Sequence, residues 1–404
     1  MLMLPCWGHA QNDPFRTPQL PFADTKANHI VLPGDSSTWE GFLHKLDRLS
    51  FEGEGQVNIV HIGGSHIQAD MWSMELRHRL QQLVPGARAS RGFIFPFSMA
   101  KTNNPYWYHP QFDGKWTAVK NTVRADSSAL GLAGYSVTTR DTLSTLKISF
   151  RGDAYPGYTF TRVKVLHDMD SSYAVEAWSP VAGLAIDKHT DVDGGYTEFT
   201  YSAHTDTLFL RFIRTDSTQR KFTLYGISLE TDDPGIVYHA IGVNGASTSS
   251  YLRCQRFVPD LALLKPDLVV FSIGINDAHA ADFSAARYKS NYAELIQRVR
   301  QAAPDAAILF TTNTDSYIKR RTVNPNGAAV REVMLQLGSE QGCAVWDCMA
   351  VMGGPGSIAQ WQKAGLAQAD RIHLTRQGYV ALGGLLYAAL MENYAAHIKR
   401  TYRP

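Results

Sequence analysis

The stretch Val57-Asn58-Ile59-Val60-His61-Ile62-Gly63-Gly64-Ser65-His66-Ile67-Gln68-Ala69-Asp70 is an apolar run that stops at two glycines, with a serine next. The run fits a buried parallel strand, and the paired glycines permit a tight turn that lifts Ser65 onto the lip of a sheet. A serine so placed is a candidate nucleophile. The Gly-x-Ser-x-Gly elbow requires glycine two residues to either side, and here Gly63 is present while Ile67 takes the second place. That elbow is therefore not the first reading of the turn.

Three further segments bear on the same chemistry. Tyr238 to Gly242 is an apolar strand running into a turn that contains Gly245, and Asp267 to Gly274 is another, with Asn276 where the chain leaves the sheet. Near the end, Asp370-Arg371-Ile372-His373 precedes a long apolar helix for which Thr375 is the expected cap. All these groups fall at strand ends or helix starts, which gather at one edge of an open parallel sheet, where ligands bind.

Serine is a poor nucleophile until a base takes its proton, and a histidine held by a carboxylate supplies that base. His373 is the expected base and Asp370 its orienter, since three residues of separation let one turn present both. A tetrahedral intermediate also needs fixed donors for its negative oxygen. The backbone N–H groups of Ser65 and Gly245 and the side-chain amide of Asn276 can provide three.

In order and content the segments resemble blocks I, II, III and V of the SGNH, or GDSL, hydrolase superfamily. The resemblance implies Ser65 as nucleophile, Ser65, Gly245 and Asn276 as the oxyanion hole, and His373 with Asp370 as the base pair, without cofactor or metal. One departure is Gly64, where block I usually has aspartate, a residue that is not the triad acid.

Ser65 and Gly245 are separated by 180 positions, far more than in a compact member. The intervening text, such as Thr145 to Phe150, Tyr158 to Val165 and Thr207 to Phe212, has period-two alternation rich in β-branched and aromatic residues. It reads as an inserted β-sandwich, jelly-roll-like, over 105–234. The rest predicts a three-layer α/β/α flavodoxin-like domain from 38–104 and 235–404, with a linker segment before residue 38. Strands are expected near 57–63, 236–242, 267–273, 306–312 and 343–347, and helices near 66–83, 284–302, 327–341 and 376–396. Both junctions of the insert are expected close together at the active edge. This layout resembles bacterial peptidoglycan O-acetylesterases, whose insert is similar to carbohydrate-binding modules, and it implies an acetylated glycan as substrate. An acyltransferase using the same triad and a non-catalytic glycan-binding protein are the alternatives.

With 404 residues, 44% of them hydrophobic, the chain can fill the cores of two domains, and a net charge of +2 gives no field for nucleic acid. No run reaches transmembrane length. Met1 to Gln11 resembles the end of a secretory signal, which implies a periplasmic or secreted location. Cys343 and Cys348 flank a short apolar strand and read as buried thiols, and Cys254 as a core residue of the helix after block II. His61 reads as a structural histidine, His66 as orienting the turn or facing substrate, and Asp277 as a helix cap. A metal set of His61, His66 and Asp70 is disfavoured because the two histidines straddle a sharp turn. Trp107, Trp116 and Trp178 either stack on sugar rings or fill the sandwich core.

Overall fold

The computed structural model describes residues 18–402, apart from 33, 126–127, 153–157, 170–171 and 219–220. The segment read as a signal end, Cys6 included, lies outside the described residues.

A six-stranded sheet forms the centre of the hydrolase-like part. In chain order its strands are β1 (Ile30–Val31), β2 (Gln56–Gly63), β3 (Gly235–Gly242), β4 (Leu268–Ser272), β5 (Ala307–Thr311) and β6 (Ala344–Trp346). They lie side by side in the order β1-β6-β5-β4-β2-β3, all parallel except β1, which runs antiparallel to β6. Leaving out β1, this is the doubly wound order in which strand succession reverses at the first parallel strand, and such a reversal opens a crevice at the carboxyl ends. Here the crevice lies between β2 and β4.

The helices are α1 (Ser37–Asp47), α2 (Ser65–Gln68), α3 (Trp72–Gln81), α4 (Thr248–Leu252), α5 (Phe257–Leu263), α6 (Ile275–Ala278), α7 (Ala285–Ala302), α8 (Asn326–Gln341), α9 (Cys348–Val351), α10 (Ile358–Lys363) and α11 (Arg376–Thr401). Alternate residues of β2 face opposite ways. Val57 and Ile59 join the core made with α1, α3 and α11, while Val60 and Ile62 join that made with α5, α7 and α8. His61 shares the face of Val57 and Ile59, where Tyr238 and Ser272 hold both its ring nitrogens.

Between α3 and β3 the chain forms two antiparallel sheets. One has the strands Ile186–Asp191, Tyr196–Thr205, Phe160–His167, Phe222–Glu230, Tyr135–Thr139 and Trp116–Lys120 in that order, with Gly92–Ile94 also paired to Phe222–Glu230. The other has Tyr108–Phe112, Leu143–Phe150, Thr207–Arg214 and Tyr173–Ala177. Along Leu143–Phe150 the inward positions are Ser144, Leu146 and Ile148, the period-two pattern of a strand with one face in a core. The two sheets meet through aromatic rings, with Phe212 4.7 Å from Phe222 and 5.5 Å from Trp116.

Several expectations are corrected. The helix expected near 66–83 is two helices, because Asp70 adopts a left-handed φ of 51° that ends the first. Part of the segment read as a linker is built into the fold: Ile30–Val31 pairs with β6, and Asn28 binds the Leu385 carbonyl and Trp346. Gly92–Ile94, assigned to the hydrolase part by sequence, adds a strand to the antiparallel sheet.

The junctions of the β-rich segment also differ from expectation. The chain enters the antiparallel sheet by Gly92, which pairs with Leu229, and Arg88 just before it bridges Gly235, so the junctions adjoin as expected, but at the amino edge, where the Gly235 amide donates to Gly55, and not at the active edge. β3 is parallel to β2, so any chain entering it must arrive at the amino end.

Candidate active site

β2 ends at Gly63, and a Cβ there would fall 2.8 Å from the Ser272 carbonyl oxygen, so the strand can turn only with glycine. Gly64 then opens α2, whose first residue is Ser65. From the far end of the chain, Asp370 to His373 forms a tight loop with Arg371 at φ 55°. One Asp370 oxygen accepts the Ile372 and His373 amides, each at 3.0 Å, while the other accepts His373 Nδ1–H at 2.7 Å. This carboxylate builds its own loop and orients the ring. Burial alone would raise its pKa, but these hydrogen bonds hold it below the ordinary aspartate value.

With Nδ1 carrying the proton given to Asp370, His373 Nε2 is an acceptor, and it lies 2.8 Å from Ser65 Oγ. Ser65, His373 and Asp370 thus form one continuous relay, though they come from opposite ends of the chain. The relay is reachable by solvent, with the His373 and Asp370 side chains 33% and 31% exposed.

The oxyanion candidates converge on the same crevice. Asn276 lies in α6, just beyond β4, and its Nδ2 donates at 2.9 Å to the Ala246 carbonyl, which fixes the amide while leaving its second hydrogen. A Cβ at Gly64 would approach that nitrogen to 3.2 Å, so the glycine that departs from the usual block I leaves room for Asn276. Gly245 has φ 79°, and a Cβ there would meet nothing within 4 Å, so the backbone is open to an incoming group.

Supporting residues that the sequence does not single out tie these loops together. Gln68 Oε1 accepts the Asn244 amide at 2.7 Å while its Nε2 donates to the Asn103 carbonyl at 3.0 Å. Asp277 is a cap, as expected, but for a neighbouring helix: it accepts the Thr248 amide and hydroxyl at the start of α4. Burial pushes its pKa up to about 6. Asp70 is enclosed by Arg77 and Arg91, and its carbonyl accepts the Trp107 indole N–H. No signal short of the fold links positions so far apart in the chain.

His61, His66 and Asp70 do not gather as metal ligands among the described residues. His66 packs inward, with Nδ1 on the Tyr379 hydroxyl at 2.8 Å. Trp107 and Trp116 are core residues, whereas Trp178 is 37% exposed beside Phe209 and Arg211. Cys343 and Cys348 are buried free thiols, and so is Cys254, two residues beyond α4 rather than within it.

A cleft of about 200 Å³ adjoins the oxyanion wall and is lined by Gly245, Asn276, Arg253 and Arg287 together with Asn121 and Arg124 of the β-rich segment. The doubly wound sheet, with a Ser-His-Asp relay at its switch point, has the organisation of an α/β/α serine hydrolase. Residues 215–381 match the GDSL-like lipase/acylhydrolase family model. The match begins beyond Ser65, which the β-rich segment separates from the other blocks.

Among solved structures, one titled "Peptidoglycan O-acetylesterase in action" is similar with a TM-score of 0.72 and 19% identity, covering 91% of this chain and 99% of that one. A lipase/acylhydrolase from Enterococcus faecalis has a TM-score of 0.32 and 21% identity, covering 39% of this chain and 77% of its own. An acetylxylan esterase from Geobacillus stearothermophilus, a catalytic mutant, also has a TM-score of 0.32 and 21% identity, over 40% of this chain and 73% of that one. No curated protein matches this chain.

Proposed function

We propose that this protein is a serine esterase that removes O-acetyl groups from a glycan, foremost peptidoglycan, by way of an acyl-enzyme. The observation that carries the chemistry is the 2.8 Å approach of Ser65 Oγ to a histidine whose other nitrogen is held by Asp370. Ser65 Oγ attacks the acetyl carbonyl carbon as His373 Nε2 takes its proton. The carbonyl oxygen becomes negative between the amides of Ser65 and Gly245 and the side chain of Asn276, donors fixed before the charge appears. Collapse expels the sugar oxygen, which receives the proton from His373. Water, deprotonated by the same ring, then releases acetate and restores Ser65.

The glycan reading draws support from the shared architecture with a structure described as a peptidoglycan O-acetylesterase. It also draws on the cleft beside Gly245 and Asn276, to which the β-rich segment contributes Asn121, Thr122 and Arg124. A carbohydrate-binding role for that segment, 105–234, is part of the proposal. So is a periplasmic or secreted location, where such a polymer lies.

The test is acetate release from a panel of O-acetylated glycans, with peptidoglycan included, by the full chain and by Ser65→Ala. Preferential deacetylation of peptidoglycan that vanishes in a folded Ser65→Ala variant is the expected result. Near wild-type turnover in that variant would sink the triad, and acetyl transfer to an added glycan in place of water would make the protein a transferase.

A further inference from the structure

Some 32 Å along α11 from the catalytic loop, by the rise of an α-helix over residues 376 to 397, lies a second cluster of histidine and carboxylate. His44 and Asp47, one turn apart on α1, face His397 on α11. One Asp47 oxygen is shared by His44 Nδ1 at 3.3 Å, His397 Nε2 at 2.8 Å and the Tyr402 hydroxyl at 3.1 Å. The other Asp47 oxygen, on a side chain only 5% exposed, is buried with no partner among the described residues.

The back of the cluster is also ordered for a ligand. His397 is 1% exposed, and its Nδ1 lies 3.0 Å from Glu40 Oε2. Glu40 in turn accepts from Arg400 at 2.7 Å. A carboxylate that takes the Nδ1–H of a histidine fixes the ring with Nε2 toward the ligand side, the usual outer support of a metal-bound imidazole.

We infer that His44 Nδ1, Asp47 and His397 Nε2 form a binding site for a divalent transition metal, zinc foremost, that staples α1 to α11. Two imidazoles and one carboxylate are a donor set that zinc accepts, and tetrahedral zinc–nitrogen and zinc–oxygen bonds of about 2 Å require donor atoms roughly 3.3 Å apart. The two distances to the shared Asp47 oxygen, 3.3 and 2.8 Å, are close to that spacing. Zinc would replace the proton between His397 and Asp47 and take the shared Asp47 oxygen as its third protein donor. His44, with its side chain 57% exposed, leaves the outer face open to a water as fourth ligand. The site has no part in ester chemistry: Ser65, Asn276 and His373 lie at the carboxyl edge of the sheet, away from His397.

The experiment uses the tag-free full chain after dialysis against a chelator. Zinc titrated by calorimetry should bind with one-to-one stoichiometry, and zinc at about 100 times its dissociation constant should raise the thermal midpoint by several degrees. Cobalt in its place should give the visible absorption of a tetrahedral site. His44→Ala alters a half-exposed position, so the variant should fold, and it should lose both signals. Glu40→Gln should weaken zinc binding about 10- to 100-fold. Hydrolysis of p-nitrophenyl acetate should be the same with zinc or chelator. Absence of saturable zinc binding, or equal binding by folded His44→Ala, would overturn the site and leave a hydrogen-bonded cluster only. Neither result bears on the triad.

Discussion

The imidazole of His66 packs against that of His373, with ring centroids 5.3 Å apart and planes inclined by 31°. Burial holds the His66 pKa down at about 3, so this neighbour is neutral whenever His373 acts. A neutral ring adds no repulsion when His373 takes up the serine proton, and its bond to Tyr379 fixes the start of α11 against α2.

His66 is therefore a positioning residue. His66→Gln, which retains an acceptor for Tyr379, should keep kcat on a small acetate ester within about tenfold, whereas His373→Gln should lose at least about 10³. Steady-state kinetics on the two purified variants decides the matter, and equal losses would place His66 among the catalytic groups.

Asn276 is expected to act in the transition state. Asn276→Ala should lower kcat by about 10² to 10³ with a smaller change in KM, since its second amide hydrogen matters most once the oxygen is charged. A variant defective in KM alone would contradict this role.

Stability should fall with acid. Burial depresses His61, His66 and His239 to about 3 and His167 to about 4. The folded state thus refuses protons that the unfolded chain accepts below about 6.5, so the stabilisation is complete above that pH and lost as pH falls toward the folded values. Asp260 and Asp277, raised by burial to about 6, favour the protonated folded state and oppose the trend between about 4 and 6, without outweighing the four histidines. Thermal midpoints should drop from pH 7 to pH 5. His239→Gln, whose side-chain oxygen can accept the Phe93 amide in place of the ring, should flatten the slope by up to about 1.4 kcal/mol per pH unit. An unchanged slope would mean that His239 titrates normally in the folded protein.

The β-rich segment can be probed without removing it. Its residues Leu130 and Leu132 share one continuous core with Leu261 and Val299 of the hydrolase part, so excision of 105–234 would expose that core. Arg124→Ala is the gentler test: KM for acetylated peptidoglycan, which carries carboxylates, should rise several-fold while hydrolysis of a small acetate ester is unchanged. Parallel loss of both activities would make the segment part of the catalytic centre rather than a holder of polymer.

The sequence was most legible where apolar runs met glycine. The strands around Val57, Val237, Val269, Leu309 and Val345 lie within a residue or two of their expected bounds, because burial on both faces leaves a continuous apolar signature. Ser65, Asp370 and His373 could be read as a set because each lies beside a local signal, a glycine turn or a capped helix, and their meeting follows from the sheet. Less could be read for groups whose partners are remote. Gln68 with Asn244, Asp277 with Thr248, and Asp47 with His397 are polar pairs whose spacing carries no periodicity. Ile30–Val31 is too short to alternate, and only pairing with β6 makes it a strand.

The return of the chain at Gly235 has a practical meaning for protein engineering. A swap of the β-rich segment can be planned as the exchange of a module with adjoining ends, since Arg88 bridges Gly235 and Gly92 pairs with Leu229. The cut belongs before Gly92 and not at residue 105, because a module grafted over 105–234 would leave Gly92–Ile94 without its partner strand Phe222–Glu230. Any grafted module must then supply its own contact to Gln68 and Asn244, which Asn103 makes at the carboxyl edge.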